Sequence, residues 1–297
     1  MHAPSHKAGF VNIIGKPNVG KSTLMNILVG ERLSIVSSKA QTTRHRILGL
    51  IHSEDYQIVF SDTPGMLQPK YELHKSMMGF VRISLEDADL IVFVTDLFET
   101  DDEIEEIIHK INASDTPVIL VINKIDLAKE GQLEEVTKYW TSRIQTETVI
   151  PVSALEHFNT EKILQEILER LPTHPPYYDK EELTDRPERF FASEIIREKI
   201  FTNYKKEIPY STEVGIEDFH EDAQLIKIRA TLFVERNSQK GILIGEKGKM
   251  LKKVGIEARA DLEKFFGKKV FLETFVKVEQ DWRKNKTLLK KFGYDPS

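Results

Sequence analysis

The sequence contains no cysteine, which excludes a disulfide framework and makes a cytosolic home the simplest expectation. It also lacks long apolar runs. The longest, LIVFV at 90–94 and VILVI at 118–122, fall far short of the roughly 20 residues of a membrane-spanning helix. The first ten residues, MHAPSHKAGF, have no apolar core of the kind a secretory signal carries. Internal repeats and low-complexity segments are missing as well.

What is present is ample material for a core: 297 residues, 40% hydrophobic, enough for two ordinary domains. The net charge of −5 conceals an asymmetry. Positions 236–291 hold 16 Lys and Arg against 7 Asp and Glu, so this segment is strongly basic and the remainder strongly acidic. A concentrated basic excess in an acidic chain points to a polyanionic partner, either nucleic acid or an anionic membrane surface.

Short apolar runs punctuate the first half: FVNIIG (10–15), RILGLIH (46–52), YQIVFSD (56–62), LIVFVTD (90–96), VILVIN (118–123) and VIPVSA (149–154). Helical patterns separate most of them, the grammar of a doubly wound, mostly parallel α/β sheet. The prolines of LPTHPPYYD (171–179) mark a linker. The expected division is a first domain at 1–173, a linker at 174–186 and a second domain at 187–297. The second reads as helix, two strands, two helices and a strand, a smaller α+β unit ending in the basic tail DWRKNKTLLKKFG (281–293).

Four motifs carry chemistry. Gly15-Lys16-Pro17-Asn18-Val19-Gly20-Lys21-Ser22, followed by Thr23, is a G-x-x-x-x-G-K-[ST] loop after a strand and before a helix. Its glycines let backbone N–H groups approach phosphates, Lys21 adds a point charge, and the Ser22 hydroxyl can ligate Mg²⁺. Asp62-Thr63-Pro64-Gly65 ends the next strand, where open sheets hold ligands; Asp62 can bind Mg²⁺ and the Gly65 N–H can reach a terminal phosphate. Asn123-Lys124-Ile125-Asp126 and Ser153-Ala154-Leu155 end later strands.

This ordered set resembles the GTPase family of P-loop proteins. The resemblance implies GTP and GDP as ligands, with the Asp126 carboxylate reading guanine N1 and N2. It also implies a Mg²⁺-binding Thr in the mobile stretch SKAQTTRHR (38–46): Thr43 by register, with Thr42 as runner-up. A P-loop kinase is the competing enzyme class, disfavoured by the N-K-x-D motif. Where many small GTPases keep a water-orienting Gln after the D-T-x-G glycine, this chain has Met66, which offers no useful donor or acceptor. In GTPases lacking that Gln, an Asn at the position of Asn18 accompanies a bound K⁺; Asn also suits the tight turn. The catalytic set expected from these motifs is Lys21, Thr43, Asp62, Gly65 and Asn18.

In the basic half, Gly245-Glu246-Lys247-Gly248 is a G-x-x-G loop between two helices, and the element order resembles a type II KH domain. Such a loop clamps the backbone of about four nucleotides of single-stranded RNA. Ile244, Gly245, Glu246, Lys247, Gly248, Lys249 and Lys252 are the RNA-binding candidates; the Glu246 charge repels phosphate and is offset by Lys247 and Lys249. Phosphate loop, KAQTTRHRI, G-x-x-G and EARADLEKFFGKKVFLETFVKV together resemble the Era family of bacterial ribosome-assembly GTPases over nearly the whole chain. That resemblance implies a monomeric switch protein that binds small-subunit ribosomal RNA near its 3′ end and assists small ribosomal subunit processing and assembly. A different reading is a GTP-gated RNA checkpoint with negligible turnover. The basic tail also suits weak peripheral association with the inner face of the membrane, although Trp282, Leu288 and Leu289 read as packing residues.

Overall fold

The computed structural model describes residues 6–37, 39–98 and 104–295. Ser38 of the switch stretch and the first five residues of the N-terminal reading lie outside that set. The chain divides into two compact units, the first extending to Asp185 and the second running from Arg186 to Asp295.

In the first unit, β1 (Lys7–Ile14) leads through the phosphate loop into α1 (Lys21–Val29). There follow β2 (Ile47–His52), β3 (Tyr56–Asp62), α2 (Glu72–Glu86), β4 (Leu90–Asp96), α3 (Glu105–Asn112), β5 (Val118–Asn123), α4 (Gln132–Thr141), β6 (Thr148–Pro151) and α5 (Thr160–Arg170). The six strands lie in the order β2-β3-β1-β4-β5-β6. All pair in parallel except β2 with β3, which run antiparallel because no helix intervenes to carry the chain back across the sheet. All seven residues of β4 are buried, as expected of a central strand covered on both faces. The chain winds outward in both directions from β1, so a crevice opens at the carboxyl ends of β1 and β4. All four nucleotide motifs follow strands β1, β3, β5 and β6, and so meet at this edge.

The stretch read as a linker is built into the first unit. Leu50 N–H donates to Leu183 O at 2.9 Å, alongside β2. Gln57 takes backbone N–H groups of Tyr177 (2.7 Å) and Tyr178 (3.1 Å) on Oε1 and donates through Nε2 to Tyr178 O at 2.8 Å. A free edge strand exposes unpaired backbone groups; here the chain itself covers them.

The second unit begins with α6 (Glu188–Asn203) and the short α7 (Ile208–Ser211). Then come β7 (Glu213–Glu221), β8 (Leu225–Val234), α8 (Asn237–Ile244), α9 (Lys249–Phe266), β9 (Lys269–Val278) and α10 (Lys286–Lys291). The three strands form a sheet in order β7-β8-β9, with β8 and β9 parallel. Alternate residues of β8, Ile226, Ile228, Ala230, Leu232 and Val234, join Val254, Ala258 and Leu262 of α9 in one core.

The basic tail packs against its own unit. Trp282 is wholly buried and donates Nε1–H to Ser211 O at 3.0 Å, while Phe292 packs on Trp282 and Phe233. Leu289 is buried, and Tyr294 donates its hydroxyl to Glu213 Oε2 at 2.6 Å. Trp282 and Leu289, read from the sequence as packing residues, thus belong to the core, and Leu288 is half-buried. Trp282→Ala should lower the stability of the second unit by ~3–5 kcal/mol in urea unfolding; a change within ~0.5 kcal/mol, the range of ordinary surface substitutions, would mean the tail is not part of that core.

Candidate functional site

A cleft of about 410 Å³ opens at the carboxyl edge of the first unit's sheet. Pro17, Asn18, Gly20, Lys21, Ser22 and Thr23 line it from the phosphate loop, Gly65 from the following motif, and Asn123, Lys124, Asp126 and Ala154 from the base end. Gly20 adopts φ 100°, and a Cβ there would lie 2.2 Å from Asn123 Nδ2. The glycine is thus required twice, by conformation and by close approach. Gly65 sits against Pro17, whose backbone N would lie 2.6 Å from an added Cβ, so the first two motifs are in direct contact.

Asn123 binds three loops together. Its Nδ2 donates to Val19 O (2.8 Å) in the phosphate loop, and its Oδ1 accepts from Lys124 N (2.8 Å) and Ala154 N (2.9 Å). Asp126 stands exposed at the rim, where Ser153 Oγ donates to its Oδ1 at 2.6 Å. Lys124 holds φ 63° and pairs with Asp96 Oδ2 at 2.6 Å. Beside Asp126, Leu127 and Leu155 are 56% and 74% exposed, leaving apolar surface at the rim for a flat ligand.

At the phosphate end, Ser22, Thr43 and Asp62 converge. Asp62 Oδ2 accepts from Ser22 Oγ (2.7 Å) and Thr43 Oγ1 (3.2 Å), and the two hydroxyl oxygens are 2.8 Å apart. Thr42, the runner-up, instead donates to Lys39 O at 2.6 Å within its own turn. Asp62 is fully buried and its Oδ1 meets no hydrogen-bond partner among the described residues. Burial pushes its carboxyl pKa up, against the opposing Lys21 charge and the hydroxyls of Ser22, Ser34 and Thr43. A buried carboxylate with an open oxygen, beside two hydroxyls, is a donor set suited to a hard divalent cation. Lys21 is buried, with Nζ donating to Lys16 O at 2.8 Å.

Other expected residues contribute structure to the site's walls. Thr63 donates its hydroxyl to Ile13 O at 2.9 Å, fixing the motif to β1. Gly15 accepts from Met66 N at 3.1 Å, and Val19 is buried. Met66 points its side chain into the core with Ile14, Val81, Ile91 and Phe93, leaving only its backbone near the cleft. Pro64 and Ile125 are not among the residues that line the cleft. Asn18 is exposed at φ 68°, the turn conformation that asparagine tolerates. Ile35, Val36, Ser37, Lys39, Gln41 and Leu127 also line the cleft without having been singled out from the sequence, and Leu155 of the last motif lines it too. Leu127 carried a signal, being an apolar residue directly after a motif.

In the second unit, the G-x-x-G loop joins α8 to α9. Gly245, Lys247 and Gly248 have φ of 71°, 50° and 78°, which throws the chain outward between the helices. A Cβ on Gly248 would meet nothing within 4 Å, so its backbone faces open space. Glu246, Lys247, Lys249 and Lys252 are exposed and Ile244 half-buried.

Residues 10–124 match the family model described as 50S ribosome-binding GTPase, and residues 207–283 match that of KH domains. The chain is 47% identical over 294 residues to GTPase Era of Geotalea daltonii, covering 97% of this chain and 98% of that one. It superposes on a crystal structure of Era in complex with MgGDPNP and nucleotides 1506–1542 of 16S ribosomal RNA with a TM-score of 0.92, at 39% identity over 97% of this chain and 99% of that one. A single-substitution variant of Aquifex aeolicus Era bound to GDP·AlF4− gives a TM-score of 0.90 at 38% identity, over the same shares.

The buried Asp62 carboxyl leads to a pH prediction. Because its folded pKa lies above the ordinary 3.8, its contribution to stability is greatest below 3.8 and is lost as pH rises through the folded value. In the presence of EDTA, Asp62→Asn should therefore gain stability relative to wild type as pH rises from 3.8. A pH-independent difference in urea midpoints would contradict this.

Proposed function

Because the chain belongs to the Era family of GTPases, we propose that it is a GTP-hydrolysing switch that binds small-subunit ribosomal RNA near its 3′ end and assists small-subunit maturation. The observation that carries this reading is the coexistence, in one chain, of a complete guanine-nucleotide cleft and an exposed G-x-x-G loop with two flanking positive-φ glycines. The match to an Era complex with 16S ribosomal RNA supports the choice of RNA.

In the mechanism, the phosphate-loop amides and Lys21 bind the phosphates, Lys21 exchanging its contact with Lys16 O for a phosphate oxygen. Asp126, oriented by Ser153, takes the two guanine N–H donors. An analogue without those donors leaves the carboxylate unpaired, which makes the discrimination large. Ser22, Thr43 and Asp62 would hold Mg²⁺, which when bound neutralises charge on the phosphates. The Gly65 N–H bonds the terminal phosphate. Loss of that phosphate frees the Gly65 and Thr43 segments, an order-to-disorder change that both states of the switch can transmit.

Met66 is buried in the core, so no side chain at that position can orient water. We assign Asn18 a role in holding K⁺, a positive charge beside the phosphates when bound. At equal ionic strength, hydrolysis should be faster in K⁺ than in Na⁺, and Asn18→Ala should abolish the difference while keeping most nucleotide affinity. Equal rates in both salts would remove the cation from the account. For RNA, Gly248→Asp forces a side chain and a negative charge onto the φ 78° position facing open space. It should abolish binding of a 3′-terminal small-subunit RNA oligonucleotide and leave GTP affinity intact. RNA binding that survived would reduce the loop to a turn.

A further inference from the structure

With Met66 withdrawn into the core, something else must orient the water that attacks the terminal phosphate. The polar side chains lining the cleft differ in how fully they are committed. Asn123 uses both ends of its amide to hold three loops together. The hydroxyls of Ser22 and Thr43 are engaged with Asp62. Thr42 is held by Lys39 O.

Gln41 is different. It lines the cleft two residues before Thr43 and holds φ 59°, a left-handed conformation that costs a non-glycine residue energy. Its Oε1 is buried and accepts no hydrogen bond among the described residues. A buried acceptor without a donor is a second cost on the same residue. Strain and an unsatisfied polar atom together, in the wall of a ligand cleft, mark a residue whose partner arrives with the ligand. A glutamine suits the task chemically, since its carbonyl accepts from water while its amide N–H groups donate to a phosphate oxygen.

Resting on the GTPase reading, we propose that Gln41, on the segment carrying Thr43, orients the attacking water in GTP hydrolysis in place of a glutamine at position 66. On GTP loading its segment closes over the terminal phosphate and Oε1 accepts a hydrogen bond from the water. The water oxygen forms a bond to the terminal phosphorus as the bond from phosphorus to the β–γ bridging oxygen breaks. GDP leaves with that electron pair, and the water's proton ends on a phosphate oxygen. Gln41 neither gains nor loses a proton, so the step balances without a general base.

The test is single-turnover hydrolysis in Gln41→Ala and Gln41→Asn, with dissociation constants for GDP and GDPNP measured alongside. We expect roughly a ten- to hundredfold fall in rate for both variants, because asparagine is one methylene too short, with both affinities within about threefold of wild type. Formation of the GDP·AlF4− complex, which mimics the transition state, should be lost in parallel. An undiminished rate in Gln41→Ala would overturn the proposal while leaving the GTPase reading intact. A fall in GDP affinity matching the fall in rate would also overturn it, assigning Gln41 a purely structural role. Wild-type protein that failed to hydrolyse GTP would instead overturn the reading on which the proposal rests.

Discussion

One buried amide holds the nucleotide site in register. Asn123 ends a central strand and satisfies both sides of its side chain on the backbone of three loops: the phosphate loop, its own motif and the loop after β6. Apart from a single 3-10 turn at Ile125–Leu127, these loops are irregular, and Asn123 ties them to one another. The side chain is 2% exposed, so its bonds form without competition from water. Its position also explains Gly20, since any side chain there would strike Asn123 Nδ2.

At the other end of the site a polar network ties the two switch segments to the sheet. Arg46, which precedes β2, donates to Ser61 Oγ (2.7 Å) on β3 and to Asp87 Oδ2 (2.5 Å) just beyond α2. Asn12 on β1 donates to Asp87 Oδ1 at 2.8 Å. The chain leaving the Thr43 segment and the helix following the Gly65 segment are therefore anchored to common residues. Between these anchors lie the Thr43 and Gly65 segments, to which the proposed mechanism gives the response to the terminal phosphate. Rigid flanks with a changeable middle are what a two-state switch requires.

The motifs were legible because each is contiguous and has its chemistry written into residue type. The G-x-x-x-x-G-K-S loop, Asp62, Asp126 and the G-x-x-G loop stand where strand-end and helix-start signals put them. Destinations of side chains were less legible. Nothing in periodicity distinguishes a Met66 that faces the cleft from one that packs on Phe93. The proline-rich stretch after α5 had the composition of a linker, yet Gln57 and Leu50 give its backbone partners that only the folded sheet edge supplies. Gln41 escaped notice because a glutamine in a polar loop has no pattern; its strain and its unsatisfied oxygen exist only in three dimensions.

The central claim is that this cleft reads guanine through one carboxylate held at its rim by Ser153. Competition binding of GTP and xanthosine triphosphate to wild type and Asp126→Asn tests it most directly. The xanthine edge presents an acceptor where guanine presents its exocyclic amine, so an amide at position 126 complements it and a carboxylate does not. The account predicts that Asp126→Asn loses GTP affinity by at least an order of magnitude and gains xanthosine triphosphate affinity by a similar factor. A variant that still preferred GTP would contradict it.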